Sequence, residues 1–251
     1  MAEYRIALSL PHQNNNIYFN MGVLYEKKKM AKEAVQSYKQ CLSIDQTHFG
    51  AAIHLAASLA NLGEYPKAKK YFKHCIKLNQ HSIPAHFGLA KILHHAEDDY
   101  NEALKHYRVS VARDPNHYKA LCQMGNIFLA QQDLSHAAEY LKKCLKINPK
   151  YVNGMISMGN LLFESGHANN AIKYFEQALN YNPKEIQALI GLANALYEIG
   201  QTEDAIEYYQ KVIEIDNEIS DVYYNLANAQ YLLNRIDEAV ENYKKALQIN
   251  P

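Results

Sequence analysis

Ten of the twelve histidines fall within residues 1–117, and two of them stand together in "HHAEDD", residues 94–99. Imidazole and carboxylate are metal ligands, so coordination is the first chemistry to test. Neighbouring histidines leave a helix on different sides, and no His-x3-His pair supports His94 and His95. The stretch therefore reads as a polar turn. The four cysteines, Cys41, Cys75, Cys122 and Cys144, form no Cys-x-x-Cys pair and no zinc spacing with the histidines. Cys41, Cys75 and Cys144 share a place that Ala178 and Ala246 hold elsewhere, where a thiol behaves as a small hydrophobe. Cys122 belongs to another series and is the thiol expected to be exposed. "GNLLFESG", residues 159–166, is framed by two glycines, as a phosphate cradle would be. A phosphate loop needs a strand before it and Lys-Ser/Thr after its second glycine. Here His167 and Ala168 follow Gly166, and the surroundings are helical. No Ser-His-Asp or Cys-His arrangement stands out, and no paired carboxylates converge. Neither an enzyme active site nor a cofactor or metal site is expected.

The composition narrows the partners. Lys plus Arg and Asp plus Glu each number 26 in 251 residues, so the formal net charge is zero. Nothing global asks for nucleic acid or a membrane surface. No apolar run approaches the ~18 residues of a membrane span. The N-terminus lacks the basic, apolar and small-residue order of a signal peptide. The unpaired cysteines favour a reducing, intracellular and cytoplasmic setting. Charge is nevertheless polarised: residues 15–117 carry 14 Lys and Arg against 9 Asp and Glu, and residues 118–251 carry 11 against 16.

What must position any binding residues is a repeat. Ala34, Ala68, Ala103, Ala137, Ala171, Ala205 and Ala239 recur at intervals of 34, with one interval of 35. A second small-residue series precedes it: Gly22, Ala56, Ala90, Gly125, Gly159, Ala193 and Ala227. Four after each member of the Ala series comes a large side chain, as in Tyr38, Phe72, Leu141, Phe175 and Tyr209. Met155, Met158, Gly159 and Leu162 recur at helical spacing, and so do Ala171, Tyr174, Phe175 and Ala178. Each period thus holds two short amphipathic helices. Gly63, Gly166 and Gly200 fall between the two, where a helix ends on a left-handed residue. Small residues let helices cross closely while a bulky neighbour fills the space beside them. Stacked pairs then share one core that a single pair could not form.

This pattern resembles the tetratricopeptide repeat, over residues 15–251. The resemblance implies an all-α, right-handed superhelical solenoid of antiparallel helix pairs, with first helices on the concave side. Seven units are expected, at 15–48, 49–82, 83–117, 118–151, 152–185, 186–219 and 220–251. Residues 1–14 read as the tail helix of a preceding repeat, because Tyr4 lies 34 before Tyr38 and Ala7 lies 34 before Cys41. Pro251 closes the last unit with no capping helix after it, so a piece of a longer array is expected. The extra residue of the third unit should lengthen its inter-helix turn.

Function must then come from surfaces. On the first-helix face, Asn126, Asn160, Asn194 and Asn228 form a ladder one residue after the small position. Ile156, Ile190 and Tyr224 precede the small position by three, and Phe163, Tyr197 and Tyr231 follow it by four. An amide can donate to and accept from a peptide backbone of any sequence. Apolar flanks can hold the side chains of an extended or helical segment. The same asparagines can equally bond their own neighbours. Two ligand modes of the family fit poorly. The Lys of a carboxylate clamp, three before the small position, is missing in every unit. The Asn series two before it, seen in glycosyltransferase-linked arrays, is interrupted by His54, Gly88, Gln123, Ser157 and Gly191. The expected function is a non-catalytic scaffold that takes a protein or peptide segment in its groove. The alternatives are a spacer that forms homo-oligomers through exposed array ends, and a substrate-recruiting segment of a larger enzyme. Intracellular scaffolds of this family serve ciliary, cell-cycle, transport and chaperone assemblies.

Overall fold

The structure, a computed structural model, describes residues 15–250. The tail helix expected in residues 1–14 and the closing Pro251 lie outside that range. The described residues form fourteen helices and no strand. They divide into two compact units, one ending at Ala120 and one beginning at Leu121.

The first unit contains α1 (Asn15–Lys27), α2 (Ala31–Ile44), α3 (Phe49–Asn61), α4 (Tyr65–Leu78), α5 (Ile83–His95) and α6 (Tyr100–Arg113). Helix α7 (Tyr118–Ala130) begins just before the division. The second unit continues with α8 (Leu134–Ile147), α9 (Val152–Glu164), α10 (Ala168–Tyr181), α11 (Ile186–Glu198), α12 (Thr202–Ile215), α13 (Ser220–Leu232) and α14 (Ile236–Ile249). In the first unit α1 packs on α2, α3 on α4 and α5 on α6, and α3 also touches α5. In the second unit α9 packs on α10, α11 on α12 and α13 on α14, while α9, α11 and α13 touch in succession. Every first helix has 13 residues and every second helix has 14, as a fixed repeat length requires.

The small-residue series works as its spacing suggests. A Cβ on Gly159 would lie 2.6 Å from the ring of Phe175, and one on Gly22 would lie 2.4 Å from the ring of Tyr38. The bulky residue of these second helices therefore fills space that the first helix of the pair leaves empty. Phe175 is 1% exposed and joins Leu189, Leu192 and Leu226 in the core of the second unit. Cutting such a ring to Ala costs about 3–5 kcal/mol.

The turns repeat as strictly as the core. Within each pair one residue takes positive φ, at Lys29, Gly63, Asp98, Gln132, Gly166, Gly200 and Asn234. Gly63, Gly166 and Gly200 confirm the helix-ending role read from the sequence, while the other four adopt the same conformation without glycine. The third pair has four residues between its helices, Ala96 to Asp99, where the others have three. The pairs are joined by a second recurring device. Asp45, Asn79, Asp114, Asn148, Asn182 and Asp216 end the second helices, and each side chain accepts from the backbone N–H two residues on. Proline is thus dispensable at the next position, because the Asp or Asn side chain already turns the chain.

Several histidines also have structural work here. His48 and His117 cap α3 and α7 by accepting from the N–H of Ala51 and Ala120 at 3.0 and 3.1 Å. His86 is buried, with Nε2 on the Gln80 carbonyl and Nδ1 on His106 Nδ1. The carbonyl can only accept, so His86 donates from Nε2 and His106 donates from Nδ1.

The turn geometry gives a test of opposite signs. Nothing stands within 4 Å of a Cβ at Gly166, so Gly166→Ala isolates the backbone cost. It should lower stability by roughly 1 kcal/mol, whereas Gln132→Gly should raise it by up to about 1 kcal/mol. Urea unfolding midpoints would show both shifts.

Candidate functional site

In the second unit the first-helix face is built by α9, α11 and α13. The helical period sets Asn160, Asn194 and Asn228 on corresponding turns, each followed one turn later by Phe163, Tyr197 or Tyr231. A hollow of about 200 Å³ is lined by Phe163, Asn194, Tyr197, Glu198, Tyr209, Asn225 and Asn228. Tyr224 and Tyr231 are 53% and 64% exposed.

The ladder is not uniform. Asn194 Oδ1 accepts from the Tyr209 hydroxyl at 2.7 Å and from Asn225 Nδ2 at 3.3 Å. Asn228 Oδ1 accepts from the Tyr243 hydroxyl at 2.6 Å. Tyr209 is buried, and burial, followed by the neighbouring Tyr197, pushes its pKa well above the usual phenol value. Its hydroxyl therefore stays protonated and donates to the amide. Asn160 is exposed, and the residue fifteen positions on is Phe175, which has no hydroxyl. Asn126 faces the same deficit, with Leu141 at that place. No described side-chain hydrogen bond engages Asn160 or Asn126 with this partner series. Two asparagines thus spend their carbonyl inside the repeat and keep the amide hydrogens, while two spend neither group in this way.

Family models described as tetratricopeptide repeat match residues 16–48, 50–82, 118–151, 162–218 and 220–251. The chain belongs to the tetratricopeptide repeat family. No curated protein matches it. Among solved structures, a tetratricopeptide repeat protein from Parabacteroides merdae ATCC 43184 is 16% identical, with TM-score 0.74, over 94% of this chain and 93% of that one. The Cut9-Hcn1 hetero-tetramer of APC/C is 16% identical, with TM-score 0.82, over 100% of this chain and 49% of that one. YrrB, described as a tetratricopeptide repeat protein with an unusual peptide-binding site, is 20% identical, with TM-score 0.55, over 72% of this chain and 92% of that one. At these identities the likeness is one of fold.

In this tetratricopeptide repeat chain the structure corrects two expectations drawn from the sequence. Ile156 is buried at 8% exposure, because its side chain sinks into the core with Met155 and Phe175 instead of lining the groove. Cys122, expected to be exposed, is 1% exposed, and its Sγ lies 3.7 Å from the Ser157 hydroxyl. A hydrogen bond from Cys144, the first cause, holds the Cys122 pKa below the usual thiol value. Cys41, Cys75 and Cys144 are buried, as their small-residue position implies. His94 is buried as well, and burial holds its pKa down to about 4. Among the described residues no group of three His, Cys, Asp or Glu could hold a metal, and no helix is long and apolar enough to cross a membrane.

Sequence reasoning missed Asn225, Glu198 and the two tyrosines beneath the ladder. A signal was present: Tyr stands fifteen residues after Asn194 and Asn228, whereas Phe and Leu stand there after Asn160 and Asn126. This yields a double-mutant cycle. Asn194→Ala strands a buried hydroxyl and should cost about 1–3 kcal/mol, while Asn160→Ala should cost under about 0.5 kcal/mol. Adding Tyr209→Phe to Asn194→Ala should recover part of the loss. Chemical denaturation of the parent, Asn194→Ala, Tyr209→Phe and the double variant measures the coupling.

Proposed function

We propose that the chain is a non-catalytic scaffold whose second unit binds an extended or helical segment of a protein partner on the face of α9, α11 and α13. The division into the seven units given above belongs to this reading. Chains of this family commonly mediate protein–protein interaction, and YrrB is described as having a peptide-binding site. The observation that carries the reading is the hollow between Phe163, Asn194, Tyr197 and Asn228, together with Tyr224 and Tyr231, which are exposed on α13, the helix that carries Asn228. Tyrosines offer large, stiff contact area with a polar tip, which suits a face that is wet until occupied. Asn amide hydrogens can donate to the carbonyls of a bound backbone irrespective of its sequence. Ile190 and the half-buried Asn126 extend the same face.

Peptides selected from a random displayed library supply the ligand. Tyr197→Ala or Tyr231→Ala should weaken them by roughly 30-fold and Asn160→Ala by roughly 5-fold, following about 2 and 1 kcal/mol of lost contact. Unchanged affinity in all three variants would place binding elsewhere.

A further inference from the structure

A hollow on the first-helix face of the first unit has a different character from that of the second. It measures about 510 Å³, and Ile53, Ala57, Ala60, Phe72, Gly88 and Lys91 are among its walls. Its origin is visible in the repeat. Ala57 stands where the later units carry Asn160, Asn194 and Asn228, and Ala60 stands where they carry Phe163, Tyr197 and Tyr231. Two neighbouring truncations on one turn of α3 thus remove an amide and an aromatic ring. The floor is the ring of Phe72, which is 3% exposed. A Cβ on Gly88 would lie 2.3 Å from that ring, so only glycine at 88 lets the ring spread beneath both helices. The volume falls within the ~300–1,000 Å³ usual for ligand pockets.

The mouth carries charge. Lys91 occupies the Asn position of its own unit and is exposed, and no described carboxylate pairs with it. Glu64 and Glu97, each next in sequence to a wall residue, are paired with Lys67 and Lys69. Residues 15–117 are net basic, with 14 Lys and Arg against 9 Asp and Glu. An apolar floor under an unpaired ammonium asks for an apolar side chain with a carboxylate beside it.

We propose that this hollow is a second docking site, which takes an aromatic side chain from an internal protein segment and pairs Lys91 with an adjacent Asp or Glu of that segment. The site stands on residues that the groove of the second unit does not use. It requires no change in the helices, since every wall is already in place.

The experiment uses the full chain with labelled Ile and Ala methyls, which report directly from Ile53, Ala57 and Ile92 in the walls. The probe is a synthetic peptide with blocked ends and Asp-Phe-Glu at its centre. Controls carry Asp-Ala-Glu or Lys-Phe-Lys instead. The Asp-Phe-Glu peptide should shift those methyls, and either control should bind at least about tenfold more weakly. Ala60→Tyr puts into the hollow the residue the chain itself uses at Tyr197 and Tyr231, so it should fold normally and abolish the shifts. Lys91→Glu should reverse the preference toward Lys-Phe-Lys. Asn194→Ala should leave this site unaffected. The proposal is overturned if the wall methyls stay still at saturating peptide, if Ala60→Tyr binds as well as the parent, or if charge reversal changes nothing. Binding only by a peptide with a free C-terminal carboxylate would likewise overturn the assignment to an internal segment.

Discussion

The ring of Phe175 lies between two glycines. A Cβ on Gly159 would approach it to 2.6 Å and one on Gly191 to 2.5 Å. Gly159 belongs to the same helix pair and Gly191 to the next, so one buried ring sets the spacing within a pair and between pairs. Phe72 is held by Gly88 in the same way, one pair further on. Helices approach this closely only where a side chain is missing, and the ring recovers the dispersion contacts that the missing side chain would have made. This interlock fixes the rotation of each first helix about its own axis. That rotation decides which residues are exposed on the first-helix face. The buried Ile156 and Cys122 stand three before the small position, and a first helix held in tight contact turns those side chains inward.

The same bulky position connects core and groove. Where it holds Tyr, as at Tyr209 and Tyr243, a hydroxyl reaches past the small residue to the adjacent Asn. Where it holds Phe175 or Leu141, that Asn is released from the core. The ladder is therefore graded. Asn194 and Asn228 are fixed in direction by a bond from below, which lowers the entropy lost when their amides meet a ligand. Asn160 is free to turn and loses more on ordering. The carbonyls of Asn194 and Asn228 are thus spent on the scaffold, and only their amide hydrogens are left for the role proposed above.

The family, the helix pairs, the left-handed glycines and the longer third turn were all legible in the sequence, because each follows from local spacing or from one residue type. Other features were not legible. Lys29 and Gln132 adopt the glycine conformation although their types give no hint of it, whereas Asp98 and Asn234 belong to the types that tolerate it best. The burial of Ile156 depends on helix rotation, which periodicity fixes only to within part of a turn. The Asp and Asn series at the ends of the second helices was present in the letters, but the two types are mixed and the residue after them is Pro in only three of the six junctions. The excess of histidine in the first half carried no structural reading in the sequence, and His48 and His117 serve as caps and His86 as a buried donor.

A repeat makes departures informative. Every position of one unit has six counterparts under nearly the same packing, so a change at one unit isolates its local effect. Ala57 and Ala60 cost the first unit none of the interlock, because Phe72 and Gly88 preserve it. What they remove is the polar and aromatic layer that covers the interlock in the second unit. The second unit thus presents amides and phenols above its core, and the first exposes the wall of its core beneath a lysine. Rings packed against glycines recur in both units, and the residues that lie over them give each unit a chemically distinct surface.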